Sequence, residues 1–261
     1  MDLNLEGKRA VVCGSTQGIG KAIAIEMALL GASITLVARN EVRLKSATKE
    51  LQDSPSQDHN YLVADFNDPD TLKQKIVGFT RTNVVHILVN NTGGPPGGQA
   101  VYARPDEFSR AFSNHLICNQ IMVQSCLGGM KREKYGRIIN VISTSVKTPM
   151  RGLGVSNTVR GAVANWAKTI SVELGPFGIT VNNLLPGAIM TNRLLGLARD
   201  RSEESGKTEA EIMEAMVREI PAGRIGDPRE IAAAAAFLAT PAASYINGIN
   251  LPVDGGRTAC L

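Results

Sequence analysis

The sequence predicts an α/β protein, a doubly wound parallel sheet of about seven strands with helices on both faces. Three observations predict it. Short apolar runs alternate with longer helical stretches from end to end, the pattern of strands joined by crossover helices. Hydrophobic residues make up 43% of the chain but aromatics only 4%, so the core must be Ala, Val, Ile and Leu, which suits helices laid over a parallel sheet. Finally, a turn holding three glycines joins the first strand to the first helix.

The elements follow in order. Strand candidates are 8–13, 33–38, 60–64, 84–90, 136–142, 178–184 and 248–253; helix candidates lie near 18–30, 40–52, 69–81, 104–130, 153–175 and 228–239. The first strand, Arg9-Ala10-Val11-Val12-Cys13, runs into Gly14-Ser15-Thr16-Gln17-Gly18-Ile19-Gly20 and then a helix. Strand, glycine turn and helix N-terminus together make a phosphate cradle. Backbone N–H groups and the positive helix end face the anion, and missing Cβ atoms let a pyrophosphate come close. The turn is therefore expected to bind a dinucleotide. Two segments break the alternation. The loop from Gly93 to Gly98 follows the fourth strand directly, and 191–221 contains the solvated stretch Arg199–Lys207. Ligands bind beyond the carboxyl ends of strands in such sheets. Segments 93–103 and 191–221 are thus expected on the ligand face, the second as a lid. No linker or repeat interrupts the pattern, so residues 1–261 are expected to form one domain.

Composition excludes several functions. The net charge of +4 is spread along the chain, with no Lys/Arg block interleaved with aromatics, so no nucleic-acid partner is expected. Cys13, Cys118, Cys126 and Cys260 show neither CxxC spacing nor His partners at metal-like intervals; buried free thiols in a reducing compartment are expected, and no metal. No apolar run reaches membrane-spanning length and the N-terminus is no signal peptide, which points to the cytoplasm and to no membrane partner.

Six landmarks, in order and at matching intervals, resemble the short-chain dehydrogenase/reductase family, and within it the 3-oxoacyl thioester reductases. They are Gly14-x-x-x-Gly18-x-Gly20, Asp65 (followed by Phe66) at the end of the third strand, Asn90-Asn91-Thr92-Gly93, the run Gly136–Ser143, Pro186-Gly187-Ala188-Ile189-Met190-Thr191, and Val253-Asp254-Gly255-Gly256. The resemblance implies a Rossmann-like fold. It also implies that Asp65 and Phe66 meet the adenine, that Asn91, Thr92 and Gly93 line the cofactor, and that Pro186, Gly187, Ile189 and Thr191 hold the nicotinamide carboxamide. Where NAD-preferring relatives end the second strand in an acid, this chain has Ala38 followed by Arg39. A carboxylate would repel a 2′-phosphate and a guanidinium can clamp it, so NADP(H) is expected over NAD(H).

The catalytic set departs from the family. Ser143 matches the family Ser and Asn114 the family Asn, but Ser156 stands where the Tyr is expected and Arg160 where the Lys is expected. A phenol of free pKa about 10 can be drawn toward neutrality by an ammonium, whereas an alkyl hydroxyl ionises far higher. Arg160 can still bond the nicotinamide ribose and stabilise an oxyanion, but it does not pass protons. Three readings follow. In the first, the chain is an oxidoreductase for a carbonyl or alcohol of modest size, with a rerouted proton donor among Ser143, water through Asn114, His115 or Tyr102. In the second, it is a non-catalytic NADP(H) sensor or partner subunit. Or the substrate needs no protein acid. Ser143 at a strand end could simply cap the next segment, and Asn114 could serve a helix bulge. The first reading is adopted, because a pure binder needs neither residue. The resemblance also implies a homotetramer, paired through the helices at 104–130 and 153–175, where Gly161, Ala162, Ala164 and Ala167 would allow close contact, and through the C-terminal strand and the tail Ala259-Cys260-Leu261.

Overall fold

The computed structural model describes residues 1–52 and 54–260, so Leu261 of the expected interface tail lies outside the described residues. Seven strands form one parallel sheet in the order β3-β2-β1-β4-β5-β6-β7. They are β1 Arg9–Cys13, β2 Ser33–Ala38, β3 Asn60–Val63, β4 Ile87–Asn90, β5 Gly136–Val141, β6 Ile179–Pro186 and β7 Asn250–Val253. The order reverses between β1 and β4, which opens a crevice at their carboxyl ends.

The helices are α1 Gly18–Leu29, α2 Glu41–Thr48, α3 Pro69–Thr80, α4 Pro105–Phe112, α5 Cys118–Glu133, α6 Gly154–Leu174, α7 Asn192–Ser205, α8 Glu209–Arg218 and α9 Pro228–Ala239. Successive strand residues face opposite layers, as a pleat requires. Val12 and Ile139 pack with Ile23, Met27 and Ile231 on one face; Val11 and Ile138 pack with Leu72, Ile76 and Met122 on the other. Burying both faces accounts for strands that are mostly apolar on both sides. A row of amides crosses four of them: Asn90 donates to Asn140 (2.9 Å), Asn140 to Asn183 (2.9 Å) and Asn183 to Asn250 (2.8 Å). Each amide inside the row satisfies its neighbour, while Asn90 Oδ1 at its end is buried without a partner.

Four expectations change. The helix expected over 104–130 is interrupted: a π-helical turn, Ser113–Ile117, separates α4 from α5. Such turns widen the backbone and re-aim side chains, and this one carries Asn114 and His115. The stretch 191–221 forms two capped helices. Thr191 accepts from Leu194 N, Thr208 and Glu211 form a reciprocal capping box, Gly206 ends α7 at φ 71°, and Leu194, Met216 and Ile220 pack with Ala188 beneath. Of the four small residues on α6, Ala164 and Ala167 are turned into the protomer's own core rather than toward another subunit; Gly161 and Ala162 remain half-exposed. Cys13, Cys118 and Cys126 are buried thiols, while Cys260 is exposed, contrary to expectation, because it lies in a tail beyond the sheet. Among the described residues no helix is long and apolar enough to cross a membrane.

Candidate active site

A cleft of about 940 Å³ runs along the carboxyl ends of the strands. Of the cofactor residues expected from the sequence, it is lined by Gly14, Thr16, Gln17, Gly18, Ile19, Arg39, Asp65, Phe66, Asn91, Thr92, Gly93, Arg160, Pro186, Gly187, Ile189 and Thr191. Ser143, Asn114 and Ser156 line it too. Ser15 and Gly20 do not. Ser15 is fully buried and its Oγ accepts from Val37 N (3.1 Å), tying the turn to β2 instead of facing a ligand. Gly20 is packed behind the turn, where a Cβ would collide with Gly14 O and stand 2.6 Å from Asn91 Nδ2.

The turn is shaped by contacts that side chains would prevent. Gly14 and Gly18 adopt φ of 59° and 56°. A Cβ on Gly14 would stand 2.5 Å from Asn91 O, and Asn91 Nδ2 donates to Cys13 O and Gly14 O, both at 3.2 Å. This cradle of open backbone at the N-terminus of α1 fits a pyrophosphate. Beyond β2 the cleft is lined by Arg39, expected from the sequence, and by Arg43, which was not; both are exposed cations. Arg43 lies in the first turn of α2, oriented by the cap in which Asn40 accepts from Arg43 N (3.0 Å). Asp65 closes an Asx turn, accepting from Asn67 N and Nδ2 at 2.9 Å.

At the other end, Ser143 Oγ accepts from Ser145 N (3.1 Å), so it does cap a short 3₁₀ turn while remaining on the cleft wall. Asn114 is half-buried on the cleft wall, its side-chain amide 2.8 Å from that of Asn67. His115 is buried, its Nδ1 2.7 Å from Thr92 Oγ1. Burial and then the charge of Arg160 push its pKa down to about 3, so its ring is neutral at pH 7. That removes it as a proton-donating imidazolium. Tyr102 lies at the cleft rim and is 81% exposed. Ser156 occupies the first turn of α6 on the cleft wall, and Arg160 follows one turn later. Arg160 is 8% exposed, its Nη1 donating to Val141 O (3.1 Å) two residues before Ser143. Burial first, and the charge of Arg193 second, lower its pKa to about 10, which still leaves it cationic at pH 7.

The two irregular segments meet above this end. Gly98 N donates to Gly152 O (2.7 Å) and Gly154 N to Gly98 O (2.9 Å), clamping the first loop to the start of α6. Arg193 Nη2 donates to Pro95 O (2.7 Å), linking the same loop to α7. Both segments were expected on the ligand face, but their contact with each other was not.

Residues 14–258 match the family model described as enoyl-(acyl carrier protein) reductase. The 3-oxoacyl-(acyl-carrier-protein) reductase of Vibrio cholerae is 34% identical over 257 residues, covering 97% of this chain and 98% of that protein. The NADPH-dependent reductase BacG of Bacillus subtilis is 30% identical over 95% of this chain and 97% of its own length. An L-sorbose reductase from Gluconobacter frateurii, solved with NADPH and L-sorbose, matches with a TM-score of 0.93 and 28% identity over 100% of both chains. A parallel seven-stranded sheet with a glycine-turn cradle at its switch point defines a nicotinamide-dinucleotide fold. The chain belongs to the short-chain dehydrogenase/reductase family.

Proposed function

We propose that this chain, an NADP(H)-dependent oxidoreductase of the CH–OH/C=O class by its family, reduces a carbonyl of 3-oxoacyl-thioester size at a site without the usual Tyr/Lys pair. One observation carries the reading: a single cleft joins the glycine turn and the Arg39/Arg43 pair to Ser143 and Arg160. The turn, Arg39, Arg43, Asn91, Pro186, Gly187 and Thr191 would hold NADP(H), which supplies the hydride when bound. Ser143 Oγ donates a hydrogen bond to the carbonyl oxygen. Arg160 stabilises the negative charge that develops there, in a partly dry site where a fixed cation acts strongly. Neither residue is an acid of matched pKa, and His115 is neutral, so water delivers the proton that completes the alcohol. In this reading Ser156 leaves room for that water where a phenol would stand. The protein would be a cytoplasmic, single-domain homotetramer, with the exposed Phe112, Ile117 and Val172 on the helices expected to pair.

The test begins with calorimetric titration of NADPH and continues with NADPH oxidation on 3-oxoacyl thioesters and small diketones. Binding with turnover is expected, slower by two to four orders of magnitude than a matched general acid would give (about 10²–10⁴-fold). The double variant Ser156→Tyr with Arg160→Lys should raise kcat. Tight binding with no turnover on any carbonyl would instead favour a non-catalytic NADP(H) sensor or partner subunit, a reading that the missing phenol–ammonium pair keeps in play.

A further inference from the structure

We infer that Arg160 and Arg193 form a two-guanidinium clamp for a carboxylate on the substrate, so that this site takes a carbonyl compound carrying a carboxylate group. The inference rests on the cofactor and reaction proposed above and narrows the substrate class.

Three observations place the clamp. First, the Nη2 atoms of both arginines converge on one point. A Cβ added to Gly94 would stand 3.8 Å from Arg160 Nη2 and 3.7 Å from Arg193 Nη2, with Arg193 Nε at 3.9 Å. Gly94 thus leaves open a gap that two guanidiniums face from α6 and α7. Second, neither cation has a counterion there. Among the described residues no carboxylate pairs with Arg160 or Arg193; each is anchored by one backbone carbonyl, Val141 O and Pro95 O. Arg160 is more than nine-tenths buried, so its charge has little water to compensate it. Third, the cleft's own carboxylates are used elsewhere: Asp65 accepts from Asn67, and Glu107 Oε2 accepts from Arg104 N at 2.7 Å.

Two like charges facing one gap repel, and the suppressed pKa of Arg160 has Arg193 among its causes. A bound anion converts that repulsion into two attractions. A carboxylate suits the geometry, because its two oxygens can each accept from a different planar fork. A carbonyl compound held in this way by its carboxylate also presents its oxygen near Ser143, since Arg160 is bonded two residues before it. The Lys of the usual family set could supply only one point charge here.

The experiment uses the full chain and malonate, a carboxylate that NADPH cannot reduce. NADPH affinity is measured first by titration calorimetry; no binding would overturn the proposed function and this inference with it. Malonate and its neutral ester dimethyl malonate are then titrated into protein loaded with NADP⁺. Malonate should bind, weakening as salt rises, and dimethyl malonate should not. Arg193→Gln should weaken malonate tenfold or more while leaving NADPH affinity unchanged. Gly94→Ala makes only ordinary contacts at 3.7–3.9 Å, so it should fold normally, yet its methyl fills the gap and should weaken malonate too. Intact NADPH binding without malonate binding overturns the clamp alone, as does equal malonate affinity in wild type and Arg193→Gln. A fall in NADPH affinity in Arg193→Gln would assign that guanidinium to the cofactor and also overturn it. Tighter binding of inorganic phosphate than of malonate would overturn the carboxylate assignment.

Discussion

At the glycine-turn end of the cleft the shape comes from backbone packed on backbone, with Gly14, Gly20 and Asn91 within a few ångströms of one another. At the Arg160 end it comes from long charged side chains anchored singly to carbonyls, Arg160 on Val141 and Arg193 on Pro95. The first kind of site leaves no room for a changed residue. The second can exchange residues while keeping its walls, because each side chain reaches the cleft from a helix that is packed independently.

The sharpest way to break the contrast is Gly20→Ala. Its methyl would meet Gly14 O and Asn91 Nδ2 in backbone that has nowhere to move. We expect a loss of about 3 kcal/mol in urea-melt stability, at the top of the range for overpacking, together with loss of NADPH binding. Gly128→Ala in the middle of α5, where nothing lies within 4 Å, is the control and should be neutral or stabilising by up to about 1 kcal/mol. Equal effects of the two would remove the claim that the turn is shaped by close approach.

A smaller effect separates the two ends by cofactor. Arg39→Ala and Arg43→Ala should each weaken NADPH by about 2 kcal/mol, roughly 30-fold, the worth of a charge-assisted bond, and leave NADH unaffected. An equal loss for both nucleotides would place these arginines on the shared part of the cofactor instead.

Legibility in the sequence followed the same division. The glycine turn was readable because strand, turn and helix are contiguous and the glycine spacing is itself the signal. What the turn's side chains do was not: Ser15 and Thr16 are neighbours, yet one is tied to β2 and the other faces the cleft. Within 191–221 the second helix has a local signature, the capping box of Thr208-Glu209-Ala210-Glu211, which the expectation of a solvated lid did not use. The π turn at Ser113–Ile117 was legible only at one residue, as the bulge that Asn114 could serve, and its five-residue extent was not. The convergence of Arg160 and Arg193 at Gly94 depends on three segments brought together only by the sheet, and local pattern carries no trace of it.

His115 tests the Arg160 end by pH. Its pKa in the folded protein, about 3, lies below the ordinary 6.5 because burial and Arg160 both disfavour the imidazolium. The unfolded chain therefore binds more protons between those two values. The contribution to stability is full above about pH 6.5 and is lost as the pH falls toward 3, at up to about 1.4 kcal/mol per pH unit. His115→Asn keeps a polar partner for Thr92 and removes the titration. Between pH 6 and pH 5 wild type should lose about 1 kcal/mol more than the variant in urea melts; the subtraction cancels His86, whose pKa is also lowered by burial. Equal slopes in the two proteins would mean that His115 takes up its proton in the folded state. The ring would then be charged beside Arg160 below neutrality, and a donor role for it in catalysis would return.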